Sequence, residues 1–119
     1  MKKSFLLLLI AVSGCALPSK EVLETADYGE PIAQEDAQKI ADAYLVRQLK
    51  DPESRRVTFY ALEKGYCKPD GMFSDWVYGY KMRTAVNAKN SFGGYTGKKF
   101  LDFFFINGKL LKVFPAAGN

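Results

Sequence analysis

The change of hydrophobic period at Asp51-Pro52 limits what this chain can fold into more than any other feature. Before it, Ala37, Ile40, Ala41, Tyr44, Leu45 and Leu49 recur at helical spacing and form one apolar stripe over residues 35–49. Glu35 and Asp36 in the first turn and Arg47 and Lys50 near the last suit the helix dipole. Pro52 pushes Asp51 out of the helical region and ends the element. Beyond that point the period is two. Residues 56–62 are rich in β-branched and aromatic side chains and predict a strand. From Trp76 the alternation is clean, with Trp76, Tyr78, Tyr80 and Met82 on one side and Gly79, Lys81 and Arg83 on the other. Residues 99–106 and 109–114 flank Asn107-Gly108, whose positive-φ preference predicts a two-residue type I′ hairpin. Residues 63–75, with Gly65, Cys67, Pro69, Asp70 and Gly71, read as a loop. The expected fold class is α+β, one N-terminal helix packed on a four-stranded antiparallel sheet.

One strand does not fit a sheet with a wet face. Phe100, Leu101, Phe103, Phe104, Phe105 and Ile106 leave Asp102 as the lone polar residue, so both faces are apolar. One face meets the helix; the other is expected to be covered from within the chain, a partner surface being the lesser alternative.

The first fifteen residues carry an address. Lys2 and Lys3 precede an apolar run over residues 5–12, and small residues lead to a cysteine. As a helix that run spans about 12 Å, far short of the roughly 30 Å of hydrocarbon in a bilayer. Val12-Ser13-Gly14-Cys15 resembles the bacterial lipobox. The resemblance implies a signal peptide over residues 1–14, cleavage after Gly14, a diacylglyceryl thioether on Cys15 and a further acyl chain, such as palmitate, on the new amino group. More than one chain makes anchoring stable. With Ala16 rather than Asp after the cysteine, the resemblance places the protein in the outer membrane, facing the periplasm.

Residues 15–34 hold the lipidated cysteine and then a segment with Pro18, Gly29 and Pro31, four acids and little periodicity, which reads as a flexible tether. The folded domain is expected over residues 35–119. It contains 14 of the 17 basic and 9 of the 13 acidic residues, a net charge of +5. A solvated basic surface is the plain reading, and weak attraction to anionic lipid or polymer is the sharper one. No dense basic run is present, so nucleic acid is not an expected partner.

Histidine is absent, which removes the commonest general base, the serine and cysteine triads that use it, and the usual zinc sites. Asp75, Asp102 and Glu63 have no spacing that makes an acid–base pair. No metal, cofactor or enzymatic activity is therefore expected. With Cys15 lipidated, Cys67 has no partner within the chain. It is expected to be a small, partly buried loop residue; an intermolecular disulfide is the alternative, and no histidine is there to activate it as a nucleophile.

The segment Asn87-Ala88-Lys89-Asn90-Ser91-Phe92-Gly93-Gly94-Tyr95-Thr96-Gly97 is longer than a hairpin needs. It is one residue short of phosphate-loop spacing, Lys99 stands where Ser or Thr is required, and a strand follows where a helix should. An ordered turn held by asparagines, with Phe92 and Tyr95 pinning it to the sheet, is the expected structure. A binding loop is the alternative, with Asn87, Lys89, Asn90, Tyr95 and Thr96 as the candidate residues. This string, together with Asp51-Pro52-Glu53-Ser54 and Gly65-Tyr66-Cys67, resembles an uncharacterised family of small bacterial lipoproteins over roughly residues 51–105. The resemblance implies no particular activity. The expected function is that of a membrane-anchored envelope lipoprotein that binds or scaffolds an envelope protein or cell-wall component. The alternative is an inhibitor or binder of a lysozyme-like cell-wall enzyme, which the positive charge disfavours for a basic target.

Overall fold

The computed structural model describes residues 17–116, so the signal-like run and Cys15 lie outside the described residues. Two helices and five strands follow in order: α1 (Lys20–Thr25), α2 (Gln34–Gln48), β1 (Arg56–Phe59), β2 (Glu63–Cys67), β3 (Val77–Asn87), β4 (Lys99–Ile106) and β5 (Lys109–Ala116). A 3-10 turn, Pro52–Ser54, links α2 to β1. The fold class is α+β with an antiparallel sheet of five strands, where the sequence predicted four. No helix among the described residues is long and apolar enough to cross a membrane.

The extra strand lies in what read as a loop. The eleven residues of β3 are long enough to pair with two short strands end to end, β1 along residues 84–87 and β2 along residues 77–81. The sheet is therefore four strands wide, although five strands build it. The predicted strand over residues 56–62 stops at Phe59 because the chain bends away there. The Tyr60 amide still donates to the Arg83 carbonyl at 2.9 Å, while the Leu62 amide donates to the Gln34 side chain at 2.8 Å. Gly65 and Cys67 look like loop residues but sit in β2, with Gly65 opposite Gly79 in register.

Helix α2 lies where its stripe predicted, burying Ala37, Ala41 and Leu45 against Met82, Val86, Phe103 and Phe105. Ala33 provides no side-chain cap. The helix start is tied down instead by Gln34, whose amide nitrogen donates to the Tyr60 carbonyl at 3.0 Å. Gln34, placed by the sequence at the end of the tether, is thus the first helical residue.

The rest of the tether is also not uniformly free. Ser19 caps α1, accepting from the Val22 amide at 3.2 Å, although α1 buries nothing. Tyr28 is 8% exposed and packs edge-on against Tyr78 with ring centroids 5.8 Å apart. The Glu30 amide donates to the Asn107 side chain at 2.9 Å. Asn107 and Gly108 both have positive φ, 51° and 79°, as a type I′ hairpin requires.

The second apolar face of β4 is covered from within. Phe104 is 1% exposed. Its ring lies where a side chain on Gly79 would project: a Cβ there would sit 3.0 Å from Phe104 Cζ and 2.3 Å from the Phe105 carbonyl oxygen. Glycine at 79 makes room for the ring, and Lys81 and Lys112, both opposite Phe104 in register, wall it in. Lys112 Nζ reaches over to donate to the Pro69 carbonyl, which fastens the β2–β3 loop across this face.

Candidate functional site

The two motifs set apart in the sequence meet in space. Asp51-Pro52-Glu53-Ser54 forms a turn in which the Ser54 amide and hydroxyl both donate to the Asp51 carbonyl, at 3.1 and 2.7 Å. Arg55 locks the turn to α2 through a two-pronged pair with Asp42, at 2.8 and 2.9 Å, and also donates to the Pro52 carbonyl. The hydrogen bond to Asp42 holds the Arg55 pKa above its ordinary value. Two parallel bonds from a planar guanidinium fix orientation as well as distance.

Ser54 then holds the 87–97 loop. Its hydroxyl oxygen accepts from the Lys89 amide at 2.9 Å, and its carbonyl accepts from the Tyr95 hydroxyl at 3.1 Å. The Arg56 guanidinium stacks over the Tyr95 ring, 4.0 Å from its centroid, and Lys89 Nζ lies 5.6 Å from the same ring. Tyr95 pins the loop to the 3-10 turn and β1.

Within the loop the asparagines take the predicted turn role. Asn90 Oδ1 accepts from the Phe92 and Gly94 amides at 2.9 and 3.2 Å, and the Asn90 amide donates to the Gly94 carbonyl at 2.9 Å. Asn87 Oδ1 accepts from the Gly97 amide at 3.1 Å. Lys89 and Tyr95 form a bridge, and the Thr96 amide and hydroxyl both donate to the Ala88 carbonyl. The segment continues the β3–β4 hairpin as a hydrogen-bonded extension. Phe92 does not pin it: the ring is 96% exposed at the tip.

The five candidate residues therefore lie at one end of the sheet, with different tasks. The oxygens of Asn87 and Asn90 are turned into the loop, and Tyr95 is a brace. Lys89, Asn90 and Thr96 also border a cavity of about 200 Å³, with Gln48, Leu49 and Lys50 from the end of α2, and Lys99 and Val86 from the sheet. Three lysines and no carboxylate line it. Lys50, Lys99 and Ser54 carry no local sequence signal of a site. In the sequence Lys50 is a helix-end charge, Lys99 the mismatch in a phosphate motif, and Ser54 part of a resembling string.

The other chemical candidates are engaged elsewhere. Asp102 pairs with Arg83 at 3.0 Å, and that bond raises the Arg83 pKa. Glu63 borders a separate hollow with Tyr60, Lys81 and Arg83. Cys67 is half-buried in β2 without a disulfide partner among the described residues. Burial pushes its thiol pKa up, against the opposing pull of Lys112 and Lys81. No cluster of three potential metal ligands occurs among the described residues. Comparison with protein-family models, curated proteins and solved structures finds no match.

Proposed function

We propose that this chain is a lipid-anchored bacterial envelope protein, without catalytic activity, that binds another envelope component through the Asn87 end of its sheet. The observation that carries the binding role is the construction of the 87–97 loop. It is braced by Ser54 from a turn clamped to α2, yet it leaves Phe92 in solvent beside a cavity ringed by Lys50, Lys89 and Lys99. A stiff loop loses little conformational entropy on binding, and a projecting aromatic ring is an efficient anchor. The lysines suit a partner that presents carboxylates or phosphates. The anchor rests on the pattern of residues 1–15, with Cys15 as the acylated residue.

A photo-crosslinker replacing Phe92 in cells tests the binding role. One envelope species should be captured reproducibly, and Lys89→Glu combined with Lys99→Glu should abolish the capture. Labelling spread over many proteins, or unchanged by the two substitutions, rules the proposal out. The anchor is tested by mass spectrometry of the amino terminus; Cys15→Ala should end acylation and membrane attachment, and a normally processed, membrane-bound variant would refute it.

A further inference from the structure

The opposite end of the sheet carries a second exposed apolar tip. Residues 68–74, between β2 and β3, form consecutive turns tied by their own hydrogen bonds. The Gly71 amide donates to the Lys68 carbonyl at 3.3 Å, Lys68 Nζ donates to the Met72 carbonyl at 3.1 Å, and the Ser74 hydroxyl donates to the Gly71 carbonyl at 2.7 Å. Lys112 fastens the same loop to β5 through Pro69. A segment this well tied leaves its two largest apolar side chains, Met72 and Phe73, 76% and 98% exposed. Burying such a side chain contributes about 1.5–3 kcal/mol, which this loop leaves unused in the isolated fold.

Directly behind the tip stands an aromatic cluster. Trp76 packs edge-on against Tyr66 at 5.2 Å, Tyr66 lies 6.4 Å from Tyr78, and Tyr78 meets Tyr28. With Tyr80 beside Tyr28, the chain's one tryptophan and four of its seven tyrosines gather at this end. Side chains with an apolar body and a polar edge collect at membrane–water interfaces.

Chain length sets the distance to the bilayer. Tyr28 fixes the chain to this end of the sheet, and Cys15 lies thirteen residues earlier. Those residues reach at most about 45 Å fully extended. With α1 helical the span shortens to roughly 35 Å. A lipid on Cys15 therefore keeps the Trp76 end within roughly 35 Å of the membrane, while the 87–97 loop lies about 33 Å further along β3 from the point where the tether docks.

We propose that the 68–74 loop is a second, non-covalent membrane contact, in which Met72 and Phe73 enter the interface of the bilayer that carries the anchor. The inference rests on the lipid-anchor reading. Within and beside the loop, Lys68 and Lys112 are balanced by Asp70 and Asp75, so the contact is apolar and insensitive to salt.

The test uses the lipidated full chain in phosphatidylethanolamine–phosphatidylglycerol vesicles containing lipids brominated near the headgroup end of the acyl chain. In a Trp76→Phe background, Phe73→Trp supplies the probe and Phe92→Trp the control. Emission from the first should be quenched several-fold more than from the second, equally at low and high salt. Native Trp76 in the unsubstituted chain gives an independent reading: it should be quenched, and Phe73→Asp should relieve the quenching. A lipidated, vesicle-bound chain in which the Phe73→Trp probe is quenched no more than the Phe92→Trp control, or in which quenching vanishes at high salt, overturns this contact and leaves the anchor standing. A chain that carries no lipid overturns both.

Discussion

Ser54→Ala separates a loop held from outside from one that holds itself. The substitution removes the oxygen that accepts from the Lys89 amide at 2.9 Å and the hydroxyl that donates to the Asp51 carbonyl at 2.7 Å. Both contacts are partly buried, but only the bond to Lys89 is broken when the loop opens, so the loss there is about 0.5–1.5 kcal/mol net. The loss should appear mainly as easier local opening of the 87–97 loop, since the core residues under α2 are untouched. At about 1.4 kcal/mol per factor of ten, the Asn90, Gly93 and Thr96 amides should exchange about 2–10 times faster, with the β4 amides unchanged. Tyr95→Phe removes the exposed bond to the Ser54 carbonyl and should accelerate the same amides by a smaller factor. The two effects should be less than additive, because both act through the 3-10 turn. Unaltered exchange in Ser54→Ala would refute the bracing argument and leave Asn90 as sufficient support for the loop.

Three further outcomes follow from the packing. Gly79→Ala should lower stability by at least about 2 kcal/mol in urea unfolding, because the new Cβ meets the Phe105 carbonyl oxygen and the Phe104 ring; an unchanged midpoint would show that Phe104 does not lie over residue 79. Thr84 is fully buried, and its hydroxyl has no hydrogen-bond partner among the described residues, so Thr84→Val should stabilise the fold by about 1–2 kcal/mol. That raises Tm by roughly 4–8 °C per kcal/mol, and a lowered Tm would mean the hydroxyl is satisfied. The Cys67 thiol pKa is raised in the folded state, so the fold retains a proton that the unfolded chain releases. The resulting stability is full below the unfolded thiol pKa and is lost as pH rises from there through the folded value. Alkylation of the native protein should stay slow until more alkaline pH than in urea, and equal pH profiles for the two states would contradict this.

Local signals were legible and distant ones were not. Helix α2 follows from a stripe and a proline, the β4–β5 hairpin from Asn107-Gly108, and β3 from alternation, each contained in a dozen or so neighbouring residues. Strand β2 was hidden because Gly65 has turn composition, whereas its reason for being in a strand is Gly79, fourteen positions away, directly across from it. Tyr28 was hidden in a polar segment because its partners, Tyr78 and Tyr80, lie about fifty positions further on. At the site, the asparagines were legible as turn residues. Ser54 was not legible as a brace, since its bond to Lys89 spans 35 positions and no periodicity encodes it.

The second apolar face of strand β4 is expected from the sequence to be covered from within the chain, with a partner surface as the lesser alternative, and its structure turns that alternative toward the ends of the sheet. Phe104 is used up internally: Gly79 makes space for the ring, Lys81 and Lys112 border it, and the Pro69 segment is fastened across. The same face carries the Arg83–Asp102 pair, which a dry partner would have to desolvate at a net cost. Large apolar rings are exposed instead at the two loop tips, since Phe73 and Phe92 are the exposed phenylalanines among the described residues. They sit at opposite ends of β3, one beside the docked tether and one beside the lysine-lined cavity. A partner on the flat face would need neither tip, whereas a membrane below and an acidic ligand above would use both.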